Sequence, residues 1–315
     1  MRMTIRVPAT TANLGPGFDT LGVALSLYNV FRVEPAVRTS ISGCEERYAG
    51  QNNLFLQAMQ YASGLLGEPV PEIRLEIAAA IPLARGLGSS AAMIVGGVTA
   101  AVLLNPKRSG GPALDAKERH FILDVSAAME GHPDNVAPAV FGGFCASITL
   151  PAGANNPDGT PKILCSRSDV AAAWGFHALI PPFELSTSQA RAALPAVLPR
   201  GDVVFNIGRA ALVALAFEKG DAGLLQSACD DRIHQPYRKA FIPGYDEVTE
   251  ACRNAGAKAV WLSGAGPTVL ALTTNETTGN FFADCIAPVL GERNEGPWEH
   301  KRLSADPEGV VYVYE

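Results

Sequence analysis

The sequence predicts an α+β protein built as two domains, and three observations carry that prediction. Its 315 residues with 48% hydrophobic side chains supply more apolar material than one small domain uses. Segments with apolar residues at helical spacing are interspersed with segments that alternate, without an internal repeat, so helices mix with antiparallel-capable strands. Between residues 151 and 162, Pro, Gly, Asn and Asp reach loop density and break both patterns. The expected domains are therefore 1–153 and 154–315.

In chain order, Thr4 to Ala9 alternates and reads as a strand, and Leu21 to Val33 as one or two strands rich in Val, Leu, Phe and Tyr. Leu54, Ala58, Tyr61, Ala62 and Leu65 place a helix over 53–66, ending near Gly67. Ile73 to Ala79 alternates as a strand. Ser89 to Leu104 reads as a buried helix stopped by Asn105-Pro106, and Lys117 to Met129 as a helix broken by Gly131 and Pro133. A short helix over 135–140 and a strand over 144–150 follow. The second half predicts a strand over 174–180, a long buried helix over 202–219 and another over 221–233. Then come a helix over 245–254, strands over 258–262 and 269–273 flanking a Gly-rich turn, a helix near 277–290 and a final strand over 310–314.

Composition removes several function classes. The net charge is −6 and no long Lys/Arg run occurs, so the cationic face that a nucleic-acid partner demands is missing. The longest apolar stretch, Ala91 to Leu104, is too short for a bilayer span. The N-terminus lacks the apolar core of a signal peptide, which predicts a cytoplasmic protein with no membrane partner. Six scattered cysteines without a C-x-x-C pair read as reduced core residues, and five histidines without ligand spacing give no metal motif.

The informative stretch is Pro82-Leu83-Ala84-Arg85-Gly86-Leu87-Gly88-Ser89-Ser90-Ala91-Ala92. Two glycines one residue apart let successive backbone N–H groups face one point, and Ser89 and Ser90 then open a helix. Its first turn offers unpaired donors and the positive end of the dipole, which suits a polyphosphate. Neither a Walker A loop nor a dinucleotide fingerprint has this spacing. An ordinary glycine turn with a serine cap would explain the glycines alone, but not the whole string. Two further strings stand at the ends of the chain: Pro8-Ala9-Thr10-Thr11-Ala12-Asn13-Leu14-Gly15-Pro16-Gly17-Phe18-Asp19 and Ser263-Gly264-Ala265-Gly266-Pro267-Thr268.

These three strings, in this order, resemble the motifs of the GHMP kinase superfamily. Three others are similar to its homoserine kinase branch: Glu130-Gly131-His132-Pro133-Asp134-Asn135-Val136-Ala137-Pro138, the segment Leu185 to Pro195, and Asp231 to Arg238. The resemblance implies an S5-type N-terminal domain and a ferredoxin-like C-terminal domain with the reactants between them. It also implies transfer of the ATP γ-phosphoryl group to L-homoserine, a step of threonine biosynthesis, and a homodimer. A mevalonate-type kinase and a non-catalytic metabolite sensor are the rival readings.

The substrate class explains the residue types independently. An α-carboxylate calls for guanidinium forks, here Arg191 and Arg238, and an α-ammonium for Asp19 with Asn13. By resemblance, His132, Asn135, Thr187 and Gly264 join the substrate site, with Asn135, Asp134 and Arg191 in catalytic positions. Asp134 is either a base or a structural partner of the substrate loop. Residues 82–92 would bind ATP, with Asn53 on the adenine side. Mg²⁺ would be held by Ser89 and by Asp124, which stands where the family's carboxylate is expected, with Glu130 the fallback.

Overall fold

The computed structural model describes residues 2–108, 111–274, 279–291 and 296–315, side chains 152 and 279–281 excepted. Strand β1 (Met3–Ala12) buries Met3, Ile5 and Val7 on one face, then becomes buried on both faces from Val7 onward. It lies antiparallel to β2 (Leu21–Pro35), a single long strand. The C-terminal half of β2 pairs with β4 (Ile73–Ala79), and the short β3 (Ser40–Ser42) adds in parallel. Its N-terminal end pairs instead with β5 (Phe144–Thr149), which carries β6 (Ile163–Ser168).

Helix α1 (Leu54–Leu65) and α2 (Ser89–Leu104) pack on each other beside this sheet. In α2 thirteen of sixteen residues are buried, the signature of a helix apolar all round and enclosed on every side. Helix α3 (Ala116–Glu130) opens with a capping box between Asp115 and Glu118 and stops at Gly131 in the left-handed conformation. Five residues later α4 (Val136–Phe141) begins.

The second sheet, in order β10-β7-β9-β8, is wholly antiparallel: β7 (Gly175–Ile180), β8 (Ala259–Leu262), β9 (Val269–Thr273) and β10 (Glu299–Leu303). Helices α5 (Thr187–Ala192), α6 (Arg200–Lys219), α7 (Ala222–Ala228) and α8 (Gln235–Arg238) lie between β7 and β8 in sequence. Helices α9 (Tyr245–Asn254) and α10 (Gly279–Gly291) cover this sheet. Strand β11 (Val311–Tyr314) returns to pair with β1.

Several expectations change here. Residues 151–162 form the connection of the β5–β6 hairpin, and both β6 and β11 belong to the first sheet, so the sheets do not divide at 153/154. The helix expected over 221–233 ends at Ala228, because the Asp231 carboxylate draws in the backbone N–H groups of Ile233, His234 and Gln235 and turns the chain. Helix α6 is not buried throughout: Val204, Ile207, Leu212 and Leu215 face solvent. The first two residues expected for the 277–290 helix lie outside the described residues. No helix among the described residues is long and apolar enough to cross a membrane.

Candidate active site

The site forms where the first-motif loop, the start of α2, the end of α3 and the turn between β8 and β9 converge. Asn13, Leu14, Asp19 and Ala84 all have positive φ, and they are the only non-glycine residues among those described that do. All four fall in two of the loops singled out from sequence, so backbone strain is concentrated at this one place. Gly86 and Gly88 are fixed by close approach. A side chain on Gly88 would fall 2.0 Å from Thr10 Oγ1, and one on Gly86 2.3 Å from the Ser263 carbonyl oxygen. The glycines therefore seat the 84–88 loop between β1 and the 263–268 turn. Gly88 caps α2 without any side-chain hydrogen bond, leaving the first-turn N–H groups open.

One cleft is lined by Asn13, Asp19, Ala84, Arg85, Gly86, Gly88, Ser89, Ser90, Glu130, His132, Asp134, Asn135, Thr187, Arg191, Arg238, Gly264 and Ala265. It gathers every residue expected to contact the amino-acid substrate. Of the 82–92 string, Pro82, Leu83, Leu87, Ala91 and Ala92 stay out of the lining; Leu87, Ala91 and Ala92 are fully buried behind the loop. The Arg85 guanidinium turns away, donating to the carbonyls of Leu83, Pro181 and Pro182 at 3.1 Å each, and so ties the phosphate loop to the chain after β7.

At one end of the cleft, Arg191 holds Asp19 in a two-pronged ion pair of 2.9 and 3.0 Å. Bonding to Asp19 raises the Arg191 pKa. Arg238, almost fully buried, donates to the carbonyls of Ala190 and Gly264 and packs its guanidinium over the Phe18 ring. Burial lowers its pKa from the ordinary arginine value. Asn13 spends its amide on the loops themselves, donating to the Gly264 carbonyl at 2.8 Å and accepting from the Asp19 N–H at 3.0 Å. It thus joins the first motif to the third, rather than presenting a free amide.

The end of α3 supplies the acidic side. Asp134 Oδ1 accepts from His132 Nδ1 at 2.5 Å and from the Asn135 N–H at 2.9 Å. Thr10 Oγ1 donates to Asn135 Oδ1 at 2.8 Å. Burial acts to lower the His132 pKa, but Asp134, Glu130 and Asp19 outweigh it and hold the imidazole above its ordinary value. Glu130 Oε2 accepts from Ser90 Oγ at 2.8 Å, and burial pushes this carboxyl upward.

Two expected residues are elsewhere. Asp124 is in the middle of α3 and lines a separate hollow with His120, Asn156 and Lys162. Its carboxylate is occupied by Asn156 Nδ2 at 2.7 Å and the Ile163 N–H at 2.9 Å, so it fastens the β5–β6 connection and holds no metal in the cleft. Asn53 caps α1, accepting from the N–H groups of Phe55 and Leu56 and donating to the Tyr48 carbonyl, and it is buried outside the cleft lining.

The hydroxyl that meets a carboxylate is that of Ser90, not Ser89. Ser89 Oγ is buried without a hydrogen-bond partner among the described residues. Ser90 and Glu130 give an all-oxygen donor pair beside the open helix start, which suits Mg²⁺. A second group, Asp19, His132 and Asp134, converges within 4.8 Å. It contains a nitrogen, and its carboxylates are already bonded to Arg191 and His132, so it suits Mg²⁺ poorly. Glu130, the fallback of the sequence reading, is the α3 carboxylate that lines the cleft in place of Asp124. Helix geometry held the signal, because six residues put Asp124 and Glu130 on different faces of α3.

Comparison with known proteins agrees with this geometry. Residues 53–143 match the GHMP kinases N terminal domain and residues 212–287 the GHMP kinases C terminal model. A homoserine kinase of Clostridium botulinum is 40% identical over 308 residues, covering 98% of this chain and 97% of that protein. The crystal structure of homoserine kinase from Cytophaga hutchinsonii superimposes with a TM-score of 0.79 at 26% identity, covering 99% of this chain and 97% of the other. Mevalonate kinase from Methanococcus jannaschii, at 13% identity and a TM-score of 0.67, shares the fold. An α+β chain with this phosphate loop and these full-length relatives belongs to the GHMP kinases, in their homoserine kinase family.

Proposed function

We propose that the chain transfers the γ-phosphoryl group of ATP to the side-chain hydroxyl of L-homoserine, giving O-phospho-L-homoserine and ADP in threonine biosynthesis. The observation that carries the substrate half is the Asp19–Arg191 pair at the cleft, with Arg238 behind it. A zwitterionic amino acid can exchange into such a pair, its α-ammonium taking Asp19 and its α-carboxylate taking the guanidinium groups. Mevalonate has no ammonium and would leave Asp19 without a partner.

The first-turn N–H groups of α2 and the Ser89 hydroxyl face the polyphosphate, where the helix dipole favours negative charge. Ser90 and Glu130 would hold Mg²⁺, which when bound offsets charge on the transferred phosphoryl oxygens. Asn135, fixed by Thr10 and Asp134, orients the substrate hydroxyl toward that end of the cleft. Asp134 acts as the structural partner of His132 and Asn135, since its Oδ1 is already committed to both. The transfer is direct and in line: the substrate oxygen bonds the γ-phosphorus as the bond to ADP breaks, and the hydroxyl proton passes late to an oxygen of the transferred phosphoryl group rather than to a dedicated base. We place the enzyme in the cytoplasm as a homodimer.

A coupled ADP-release assay tests the reading. L-Homoserine should stimulate ADP formation far more than L-serine, L-threonine, mevalonate, galactose or shikimate. Turnover of mevalonate without turnover of homoserine would overturn the substrate half, and silence with every alcohol would favour a non-catalytic sensor.

A further inference from the structure

Helix α6 presents two apolar faces where one would suffice. Its inner face is locked in place: Val213, Ala216 and Phe217 are buried, and Asn206 Nδ2 donates to Asp231 Oδ1 at 2.7 Å. The helix therefore cannot roll to hide its other side. On that side Val204 is 62% exposed and Ile207 65%, with Leu212 and Leu215 at 41%. Gly201, Gly208 and Ala211 lie among them, so large and small residues alternate along a helix about 30 Å long.

We propose that this outer face of α6 docks a second copy of the chain, the two helices running antiparallel about a two-fold axis near Gly208. The proposal rests on the homodimer reading above and assigns its surface. The stripe is complementary to itself in that arrangement and in no parallel one. Gly201 of one copy receives Leu215 of the other, and Val204 meets the Ala211–Leu212 step, with Gly208 facing Gly208 where the helices come closest. The charges agree as well. Arg200 and Glu218 stand 18 residues apart, close to five full turns, so both fall on the same flank of the stripe. Neither has an ion-pair partner among the described residues. A two-fold axis near the helix centre brings Arg200 of each copy beside Glu218 of the other, forming two equivalent pairs.

Light scattering on the eluting full-length protein, across micromolar concentrations, tests this. Wild type should weigh about twice the 33.1 kDa chain and dissociate on dilution. The double variant Ile207→Arg/Leu212→Arg should be monomeric and keep the wild-type circular-dichroism spectrum, because both positions are exposed, with an unfolding midpoint equal to that of wild type diluted to the monomer. Arg200→Glu and Glu218→Arg, each made alone, should raise the dimer dissociation constant about tenfold through two like-charge contacts. An equimolar mixture of the two should recover wild-type affinity, a result that does not depend on the double variant folding. A double variant that stays dimeric, or a mixture no tighter than its components, overturns α6 as the interface and leaves the homodimer reading standing. A monomeric wild type overturns both.

Discussion

Asp124 and Glu130 sit six residues apart on α3, and burial pushes both carboxyls upward. Six residues turn a helix by about 120° net, so the two point to different sides of the same rod. Glu130, at the last turn, meets Ser90 at the start of α2 and opens onto the cleft. Asp124, on the other side, has both oxygens engaged by the β5–β6 connection. Both are carboxylates on one helix; what separates them is how far the protein already fills their hydrogen bonds. Glu130 engages one oxygen and lines the cleft, whereas both oxygens of Asp124 are engaged away from it.

The sharpest way to break this comparison is to neutralise each carboxylate in turn. Glu130→Gln keeps the shape and removes the charge beside Ser90. The kcat for homoserine should fall on the order of a hundredfold or more, and the Mg²⁺ concentration for half-activity should rise. Asp124→Asn should keep kcat within about twofold. If the two results were exchanged, the metal would belong in the hollow beside Asn156.

A second test moves from the metal end to the substrate end. Arg191→Lys keeps the charge but loses the fork that grips Asp19. The homoserine KM should rise roughly ten- to a hundredfold, the loss of one charge-assisted bond, while that for ATP stays nearly constant. An equal rise for ATP would place Arg191 at the phosphates.

Much of this was legible in sequence, for identifiable reasons. Helices such as Ser89–Leu104 and Tyr245–Asn254 carry strong patterns with clear stops, and they form over those residues. The residues expected at the substrate sit inside strings whose glycines and prolines allow few backbones, and one cleft collects all of them. What was hidden depends on partners distant in sequence. Asn53 reads as an available amide until it is seen buried as the cap of α1, engaged by Phe55, Leu56 and Tyr48. Strands β6 and β10 escaped because edge positions relax the alternation: β6 buries fully only Ile163, and β10 only Leu303. The outer face of α6 looked like core because an apolar stripe does not reveal what covers it.

A smaller effect concerns His132, at the Glu130 end of the same loop. Asp134, Glu130 and Asp19 hold its folded-state pKa above the ordinary value near 6.5. A histidine raised in this way contributes stability that is fully present below its unfolded pKa and is lost as pH rises through the folded one. Wild type should therefore exceed His132→Gln in urea midpoint most at about pH 5.5, with the gap closing toward pH 9. A gap that widens with pH would mean that burial, not the carboxylates, governs His132.

The smallest expected effect belongs to the other carboxylate, and its sign separates fastening from ligation. Burial raises the folded-state pKa of Asp124, with Asn156 and the Ile163 N–H only partly opposing it. The folded state then holds this proton more tightly than the unfolded chain does. Ionising Asp124 above its folded pKa consequently costs stability, and the cost is relieved as pH falls through that value toward the unfolded pKa near 3.9. Asn at position 124 carries no such charge, still accepts from the Ile163 N–H, and can bond Asn156 after its amide flips. The neutral hydrogen bonds are weaker by about 1 kcal/mol, which offsets the desolvation it avoids. The melting temperature of Asp124→Asn at pH 7 should therefore lie within about 2 °C of wild type. Between pH 7 and pH 4, wild type should gain on the variant, because only wild type can take up the proton. Calorimetry at the two pH values, without Mg²⁺ or nucleotide, reads this directly. A wild type that loses ground to Asp124→Asn as the pH falls would mean that its charged form is the stabilised one, as for a carboxylate held by cations, and Asp124 would cease to be the contrast to Glu130.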